Sequence, residues 1–411
     1  MGGDQAHTGI HLEADQKQFR LSEFFDQNWA AYIQSPADYI SPEQYKAVAA
    51  MRVCRTEFLG VDHYVCPDCG EITQVYHNCK NRFCPTCSWK DTLAWADKIK
   101  EQMMDIAHRH VVFTLPHRLN GLIKGNKKIV LDILFKTAAD AIKDWMQAKY
   151  QLTPGIINVL HTFGEKKDLH AHIHMILSWG GINPHDQIEQ IKGEYINYEF
   201  IQSKFRCKFE DKLIAEFDKK TLVHDFRNRM DFMRFIKRIN DKHWRIHFEP
   251  AMSIPAQVVR YIGRYSKRAC LSEYKITNIA GEYITFKYKD YKNLDFYGKP
   301  IIKKLTLHYR KFFPRLLQHV PLPYFRLVRY YGAYAARTKG VLKQKANDGQ
   351  SITEPEEQEV SETPENPSIC KHCQTEKNYL YTTFKNKEGE RIYMSRFNPK
   401  KANDKLKNTA A

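Results

Sequence analysis

The sequence lacks long apolar segments, and their absence argues against two classes of protein. No run of roughly 18 apolar residues occurs, so we expect no membrane-spanning helix. The N-terminal segment has no apolar stretch of the kind that secretory signal peptides need, so we expect a protein of the cytoplasm. The motif HExxH is also absent, which argues against a zinc metalloprotease.

Acidic residues are fewer than basic ones. The 411 residues include 47 Asp and Glu against 64 Lys and Arg, for a formal net charge of +17. Lys and Arg gain affinity for phosphates by releasing counterions, so this charge favours a polyanionic partner such as nucleic acid. With 43% hydrophobic residues the chain can bury a core, and its length predicts two or three folded units.

The spacing of apolar residues predicts a mixed α and β protein. Helices are expected over 18–50, 89–104, 127–150 and most of 186–245. Strands are expected over 110–115, 155–163, 171–179 and 282–288. The charged turn 164–169 should join two of these strands into an antiparallel hairpin. A further helix is expected to begin at Pro255 and to end near Arg268.

These elements divide the chain into four parts. They are an N-terminal helical and zinc-binding domain over 18–100, a larger domain over 105–335, an acidic flexible linker over 341–369 and a short basic tail over 370–411. The tail contains Cys370 and Cys373, whose CxxC spacing supplies half of a zinc site.

Cysteines cluster in the first of these parts, which in a chain that is not secreted indicates metal binding rather than disulfides. Two CxxC pairs about fifteen residues apart match one four-thiolate zinc site. The expected ligands of that site are Cys66, Cys69, Cys84 and Cys87. Four thiolates leave no open position on the ion, so this zinc would be structural.

Other residues of the cluster exceed what one zinc site needs. Cys54 and Cys79 are candidates for buried thiols or for a second site that includes His63 or His77. Basic side chains, among them Lys80 and Arg82, decorate the same segment. They make DNA binding a reasonable role for the module.

Histidines occupy three alternate positions, His170, His172 and His174, in the segment that ends in two glycines. On a strand such side chains lie on one face, with successive Cα atoms roughly 7 Å apart. Two neighbouring imidazoles can therefore share one divalent ion, as either His172 with His174 or His170 with His172. The apolar residues after His174 favour the first pair. Neutral imidazole is a good ligand, and open positions on the ion can contact a phosphate.

A tyrosine pair lies on the helix expected from Pro255. Tyr261 and Tyr265 are four residues apart, which puts both hydroxyls on one face. Basic residues of the same helix that could bind DNA are Arg260, Arg264, Lys267 and Arg268. Tyrosine, whose usual pKa is about 10, becomes a competent nucleophile when a metal polarises the phosphate and cations stabilise phenolate. In a chain with 23 tyrosines the alternative is simple packing, so this interpretation depends on the histidine strand.

Several blocks, taken in order, resemble one family. The blocks are NRFCPTC, HVVFTLPHRLN, the histidine strand closing in Gly-Gly, YIGRYSKRACLS, ITFKYKDY and LPYFRLVRYYG. They fall within residues 20–335, and their order is more specific than any one motif. This part of the chain resembles the rolling-circle transposases of the insertion sequence 91 type.

The resemblance implies an α+β fold. A ferredoxin-like HUH nuclease core, an antiparallel sheet with helices on its faces, would follow a small helical, zinc-binding module. His172 and His174 would hold Mg²⁺ or Mn²⁺, and His170 could help to bind or orient the ion. Tyr261 and Tyr265 would act on single-stranded DNA at the element ends and the target. One nicks the strand and keeps a 5′-phosphotyrosine link, and the other attacks the target or the other end.

The sequence departs from the family at two positions and leaves other functions open. Phe83 stands where the family usually has His, and Ala171 stands where Pro is common. A zinc-dependent DNA-binding protein without catalysis, and a plasmid replication initiator or relaxase of the same chemistry, are the alternatives. The aromatic and basic residues over 308–334 are expected to form core, with stacking on single-stranded DNA as the other interpretation.

Overall fold

The computed structural model describes residues 19–34, 39–87, 99, 103–240, 244–252, 269–338, 368–386 and 388–395. Within these ranges the chain forms antiparallel sheets and helices, which confirms the expected α+β class. The expected helix over 255–268, most of the one over 89–104 and nearly all of the linker over 341–369 lie outside the described residues. No helix of the described part has the length and apolar character needed to cross a membrane.

The helices are α1 (Leu21–Ile33), α2 (Pro42–Arg52), α3 (Asn120–Gly125), α4 (Lys127–Tyr150), α5 (Tyr198–Asp218), α6 (Arg229–Ile239) and α7 (Tyr309–Leu317). The strands are β1 (Val61–Val65), β2 (Ile72–Tyr76), β3 (His108–Thr114), β4 (Gly155–Phe163), β5 (Leu169–Ser178), β6 (Gly180–Ile182), β7 (Ile188–Gln190), β8 (Arg245–Phe248), β9 (Ile276–Ala280), β10 (Tyr283–Leu294), β11 (Pro300–His308), β12 (Val328–Gly332), β13 (Asn378–Lys385) and β14 (Arg391–Ser395).

Local sequence signals explain where helices begin and end. The Ser41 side chain accepts a hydrogen bond from the Gln44 backbone N–H, the Gln44 side chain accepts one from the Ser41 N–H, and Pro42 follows at the first helical position. This reciprocal cap starts α2, because it satisfies amide groups that have no partner within the helix. At the C-terminal end of α4, Gln151 adopts the left-handed backbone conformation with a φ of 56°, and the helix ends there.

The central sheet has the strand order β12-β4-β5-β3-β8, and every pairing in it is antiparallel. One face is covered by α4 and α5, and apolar residues of alternate positions, such as Phe113, Leu160 and Ile173, fill the core between them. The opposite face carries a smaller core around Val159 and Ile176. Each strand therefore sends alternate side chains to two different surroundings.

The region expected to be mostly helical over 186–245 holds two helices, α5 and α6, but strands lie on both sides of them. β7 pairs with β6, and β8 pairs with the edge of β3. Arg245–Phe248 becomes a strand because β3 offers an unpaired backbone edge beside it, a tertiary effect that local patterning does not reveal.

A second core joins α1 to α7 and to the sheet β9-β10-β11. The ring of Phe25 stacks on that of Phe313 with 4.2 Å between centroids, and Phe24 contacts the same helix through Phe312. Tyr309, Phe312 and Phe313 are buried here. For these residues of the aromatic segment over 308–334, the structure agrees with the expectation of core packing.

The N-terminal module includes residues from the far end of the chain. Its sheet has the order β14-β13-β1-β2, so strands after residue 377 pair with strands before residue 77. The segment that the sequence set apart as a tail over 370–411 thus contributes two strands to this module.

Candidate metal and nucleic-acid site

Three histidines converge on the face of the central sheet opposite α4 and α5. His161, His172 and His174 each offer a ring nitrogen, and these nitrogens all lie within 4.8 Å of one another. His161 on β4 is directly paired with His172 on β5, and His174 follows two residues later on the same face. Antiparallel pairing therefore brings the three rings together.

Hydrogen bonds hold two of these rings in position. His172 Nδ1 donates to the His170 carbonyl at 2.8 Å, which directs its Nε2 toward His174 Nε2 at 3.1 Å. His174 Nδ1 lies 2.8 Å from Nε2 of His110, a residue of β3. Histidine ligands commonly have such partners, because a bond at one ring nitrogen fixes which nitrogen faces the metal.

The surroundings favour uncharged imidazole. Burial, followed by the neighbouring imidazoles, lowers the pKa of both His172 and His174 well below the ordinary value. Burial also lowers the pKa of His110 to about 4. At neutral pH these rings are unprotonated, so their nitrogens can bind a divalent cation without first losing a proton. The donor set and its protonation state fit a divalent metal with open positions.

His170 lies outside this group. Its ring centroid is 4.9 Å from that of His117 and 5.1 Å from that of His172. Among the described residues, the third histidine of the cluster is His161, which the sequence analysis did not select. The hairpin turn expected over 164–169 could have identified His161, because a hairpin centred on that turn pairs residue 161 with residue 172.

The pocket beside the histidines carries lysines and tyrosines. Its lining includes Lys167, Lys275 and Lys289 together with Tyr274 and Tyr291. The carboxylates that share it are Glu165, Asp168 and Asp290. Of these, Glu165 Oε2 lies 3.2 Å from Lys275 Nζ, and Asp290 Oδ2 lies 2.8 Å from Lys303 Nζ.

Part of β10 forms a wall of this pocket and leads into the turn of the β10–β11 hairpin. Lys289, Tyr291 and Lys292 line the pocket, and the chain then turns at Phe296 and Tyr297, which are 97% and 82% exposed. Exposed aromatic rings among lysines are a feature of surfaces that stack on unpaired bases. No sequence motif pointed to these residues, because strand alternation predicted only 282–288.

The expected nucleophiles and their basic neighbours, Tyr261, Tyr265, Arg260, Arg264, Lys267 and Arg268, lie outside the described residues. The chain resumes at Ala269 and Cys270, and both line the pocket that contains the three histidines. In the sequence, Tyr265 is four residues before Ala269 and Tyr261 is eight residues before it.

The cysteines form two groups, and the four ligands expected for one zinc site are divided between them. Cys54, Cys79, Cys84 and Cys87 have sulfurs within 4.8 Å of one another, with Cys54 and Cys87 at 3.3 Å. Cys66 and Cys69 instead join Cys370 and Cys373 in a separate group. The expectation that Cys66, Cys69, Cys84 and Cys87 share one ion is therefore wrong, because β1 and β2 separate the two CxxC pairs in space.

The histidines of the module have other partners. His63 Nε2 is 3.0 Å from Thr383 Oγ1, and His77 lies between Asp62 and the Leu59 carbonyl, each at 2.9 Å. Neither belongs to a cysteine group. Phe83, at the position where the family usually has His, is buried in the core that includes α1 and α7.

The basic residues of the module are at its surface. Lys80 and Arg82 are both exposed, and Lys80 adopts a φ of 52° in the loop between Cys79 and Cys84. Arg82 also borders a cavity lined by His161 and His319. Both side chains are free of the core and can reach a phosphate.

Comparisons with known proteins match both halves of the chain. A family model described as "Putative transposase" matches residues 155–341, and one described as "Transposase zinc-binding domain" matches residues 24–115. A "Putative transposase y4qJ" of Sinorhizobium fredii is 28% identical over 330 residues, which cover 77% of this chain and 81% of the relative. A "Transposase for insertion sequence element IS801" of Pseudomonas savastanoi pv. phaseolicola is 28% identical over 319 residues, covering 76% and 75%. No solved structure matches the chain.

Proposed function

Because the chain belongs to the transposases of the insertion sequence 91 type, we propose that it nicks and rejoins single-stranded DNA through a 5′-phosphotyrosine intermediate. This chemistry would drive rolling-circle transposition. The observation that carries the proposal is the group of three neutral imidazoles in a lysine-lined pocket that Ala269 and Cys270 also line.

The three imidazoles are the proposed ligands of Mg²⁺ or Mn²⁺. His161, His172 and His174 would each provide one nitrogen, and His110 would orient His174. When bound, the ion would act as a Lewis acid on the phosphate that is attacked. Three protein ligands leave positions for phosphate oxygen and water, as a catalytic site requires.

The protein's own residues supply the covalent step. The hydroxyl of Tyr261 or Tyr265 attacks the phosphorus, a bond from the tyrosine oxygen to phosphorus forms, and the bond from phosphorus to the 3′-oxygen breaks. The tyrosine loses its proton, and the departing 3′-oxygen gains one. The reverse reaction needs no other reagent, because a 3′-hydroxyl can attack the phosphotyrosine and release the tyrosine.

Lysines around the pocket would hold the strand for this step. Lys275, Lys289 and Lys292 lie along the lining, where their charge can offset that of the DNA backbone. Burial lowers the pKa of Lys167, whose Nζ lies 5.1 Å from the centroid of the Phe163 ring. The basic residues expected to contribute beside the tyrosines are Arg260, Arg264, Lys267 and Arg268.

The N-terminal domain would serve as a second DNA contact. It matches a transposase zinc-binding domain, and Cys54, Cys79, Cys84 and Cys87 have the donor set of a structural zinc site. Lys80 and Arg82, next to these cysteines, are the proposed DNA-binding residues of this domain.

A nicking assay tests the proposal. Purified full-length protein is incubated with Mn²⁺ or Mg²⁺ and 5′- or 3′-labelled single-stranded oligonucleotides from the flanks of its own gene, and the products are separated on a denaturing gel. Tyr261→Phe, Tyr265→Phe and His172→Ala are compared with wild type, and Tyr195→Phe, an exposed tyrosine away from the pocket, is the control.

A covalent protein–DNA product that needs metal, His172 and at least one of the two tyrosines is the expected result. The variant that abolishes the first adduct identifies the first nucleophile. Tight DNA binding without cleavage under either metal would contradict the catalytic proposal and favour a DNA-binding relative without activity.

A further inference from the structure

We propose that Cys66, Cys69, Cys370 and Cys373 bind a second structural Zn²⁺, which fastens the C-terminal segment to the N-terminal module. The four sulfurs all lie within 4.8 Å of one another, and the Sγ atoms of Cys69 and Cys370 are 3.6 Å apart. Four thiolates around one point are the ligand set of a closed zinc site.

The two CxxC turns have the same backbone hydrogen bonds. In the first, the Cys66 N–H donates to the Glu71 carbonyl at 2.9 Å and the Gly70 N–H donates to the Cys66 carbonyl at 3.0 Å. In the second, the Cys370 N–H donates to the Thr375 carbonyl at 2.8 Å and the Gln374 N–H donates to the Cys370 carbonyl at 3.0 Å. One turn thus repeats the other, bond for bond.

The repetition extends to a backbone conformation that most residues avoid. Gly70 has a φ of 71°, and Gln374, at the equivalent position, has a φ of 56°. Glycine takes this left-handed conformation readily, whereas a residue with a side chain adopts it only where the surrounding structure requires it. Gln374 therefore adopts the same backbone conformation as Gly70 although this conformation is unfavourable for a residue with a side chain.

Backbone amides are directed at the first sulfur of each turn. The N–H groups of Asp68 and Cys69 hydrogen-bond to the Cys66 sulfur, and those of His372 and Cys373 hydrogen-bond to the Cys370 sulfur. Each turn therefore presents two sulfurs, one of them supported by the backbone, to a common point.

Contacts around the group hold the two turns against each other. The Thr375 hydroxyl bonds to the Asp68 carboxylate, and the ammonium of Lys377 lies 3.4 Å from a Glu71 carboxylate oxygen. The Lys377 side chain is almost completely buried, whereas the Glu71 side chain is 35% exposed. Beyond the turns, β13 pairs with β1 over five residues of β1.

A disulfide would use the sulfurs differently. It joins sulfurs in pairs at about 2 Å, whereas these four cysteines are free and the Sγ atoms of Cys69 and Cys370 are 3.6 Å apart. The proposed site also shares no residue with the group formed by Cys54, Cys79, Cys84 and Cys87. The inference is therefore independent of the nicking chemistry and of the histidine cluster.

Metal counting on the full chain tests the inference. Protein purified in zinc-containing medium is analysed by native mass spectrometry and by elemental analysis, and its free thiols are counted by alkylation after zinc removal. The variants are Cys370→Ser with Cys373→Ser, and, as a matched control, Cys207→Ser, an exposed thiol that belongs to neither group.

The double variant is expected to hold one zinc ion fewer per chain than wild type and the Cys207 variant, because the histidine cluster is the same in all three proteins. Substitution with Co²⁺ gives a second readout, since the thiolate charge-transfer absorbance should fall by about half in the double variant, which keeps one of two four-thiolate sites. An equal zinc content in wild type and the double variant, or a wild-type mass lowered by the hydrogens lost in disulfide formation, would overturn the inference.

Discussion

The sulfurs of Cys69 and Cys370 lie 3.6 Å apart although 301 residues separate them in the chain. Spacing rules for zinc sites pair CxxC motifs that are close in sequence, and here those rules pair Cys66 and Cys69 with the wrong partners. The correct partners come from a segment beyond the acidic linker. The sheet that β13 forms with β1 provides the reason, because it carries the second CxxC turn to the first.

Loss of the third histidine should weaken metal binding. His161→Ala removes one of three nitrogens, and because partners that only orient a ligand are worth about 10–100-fold in affinity, loss of a ligand should cost at least about 100-fold. Mn²⁺ affinity measured by electron paramagnetic resonance titration checks this. His170→Ala is the matched control, because His170 lies outside the cluster. The Mn²⁺ affinity of this variant should differ from that of wild type by less than tenfold. Equal affinity for wild type and His161→Ala would remove His161 from the site.

The close approach of β4 to a buried tyrosine leaves no room for a methyl group. A Cβ at Gly155 would lie 2.5 Å from two ring atoms of Tyr334, whose hydroxyl is bonded to His108 and Met104. Gly155→Ala should therefore destabilise the fold by about 1–3 kcal/mol, measured by chemical denaturation. Gly121→Ala, where a Cβ meets open space, should not destabilise it. An unchanged free energy of unfolding for Gly155→Ala would mean that the ring moves freely.

Stability should fall in acid because several histidines are buried uncharged, and His108 is one whose contribution can be isolated. Burial lowers the pKa of His108 to about 4 from an ordinary value of 6.5. The unfolded chain therefore takes up the proton first as the pH falls, and the stabilisation present above pH 6.5 is lost down to pH 4. At pH 5 the loss from this residue is about 2 kcal/mol.

Comparing variants isolates that contribution. His108→Gln should reduce the difference in unfolding free energy between pH 7.5 and pH 5 by about 2 kcal/mol, even if it is less stable at both. His185→Gln changes an exposed histidine and should leave the difference as it is in wild type. If all three proteins lose the same stability on acidification, His108 is not the group responsible.

The turn of the β10–β11 hairpin should contribute to binding of unpaired DNA. Phe296 and Tyr297 are exposed in the turn that follows Lys292, a residue of the pocket lining, and stacking on a base is worth about 1–3 kcal/mol. Replacing both with Ala should lower the affinity for a single-stranded oligonucleotide at least fivefold in a fluorescence anisotropy titration. Tyr195→Ala, an exposed tyrosine elsewhere, is the control. A larger effect on double-stranded than on single-stranded DNA would argue against stacking.

Local patterns predicted much of the fold that positions the histidines. The helix over 127–150, the strand over 155–163 and the hairpin turn were expected at nearly the observed residues, because their apolar periodicity is strong. His161 was within reach of the same reasoning, since the turn fixes which residues face each other. The sequence pattern of one strand does not show which strand it pairs with. His110 lies beside His174 because β3 pairs with β5.

Other parts depended on contacts that no local pattern contains. β11 was not expected, and its exposed Ile301 and Ile302 give no amphipathic signal. β8 exists because an edge of β3 is available to it. Cys370 and Cys373 were recognised as half a site, but the distance across the linker hid the other half.

The sheet β14-β13-β1-β2 also has a consequence for synthesis on the ribosome. Its strands β1 and β2 are translated long before their partner β13. Pairing β13 with β1 closes a loop of about 300 residues, which costs roughly 5 kcal/mol in closure entropy if nothing between them is folded. Folding of the central sheet in the meantime shortens that loop. The first module to be translated is therefore the last to be completed, and a ribosome that stalls in the linker releases a chain with an open β1 edge and two unpaired thiols at Cys66 and Cys69.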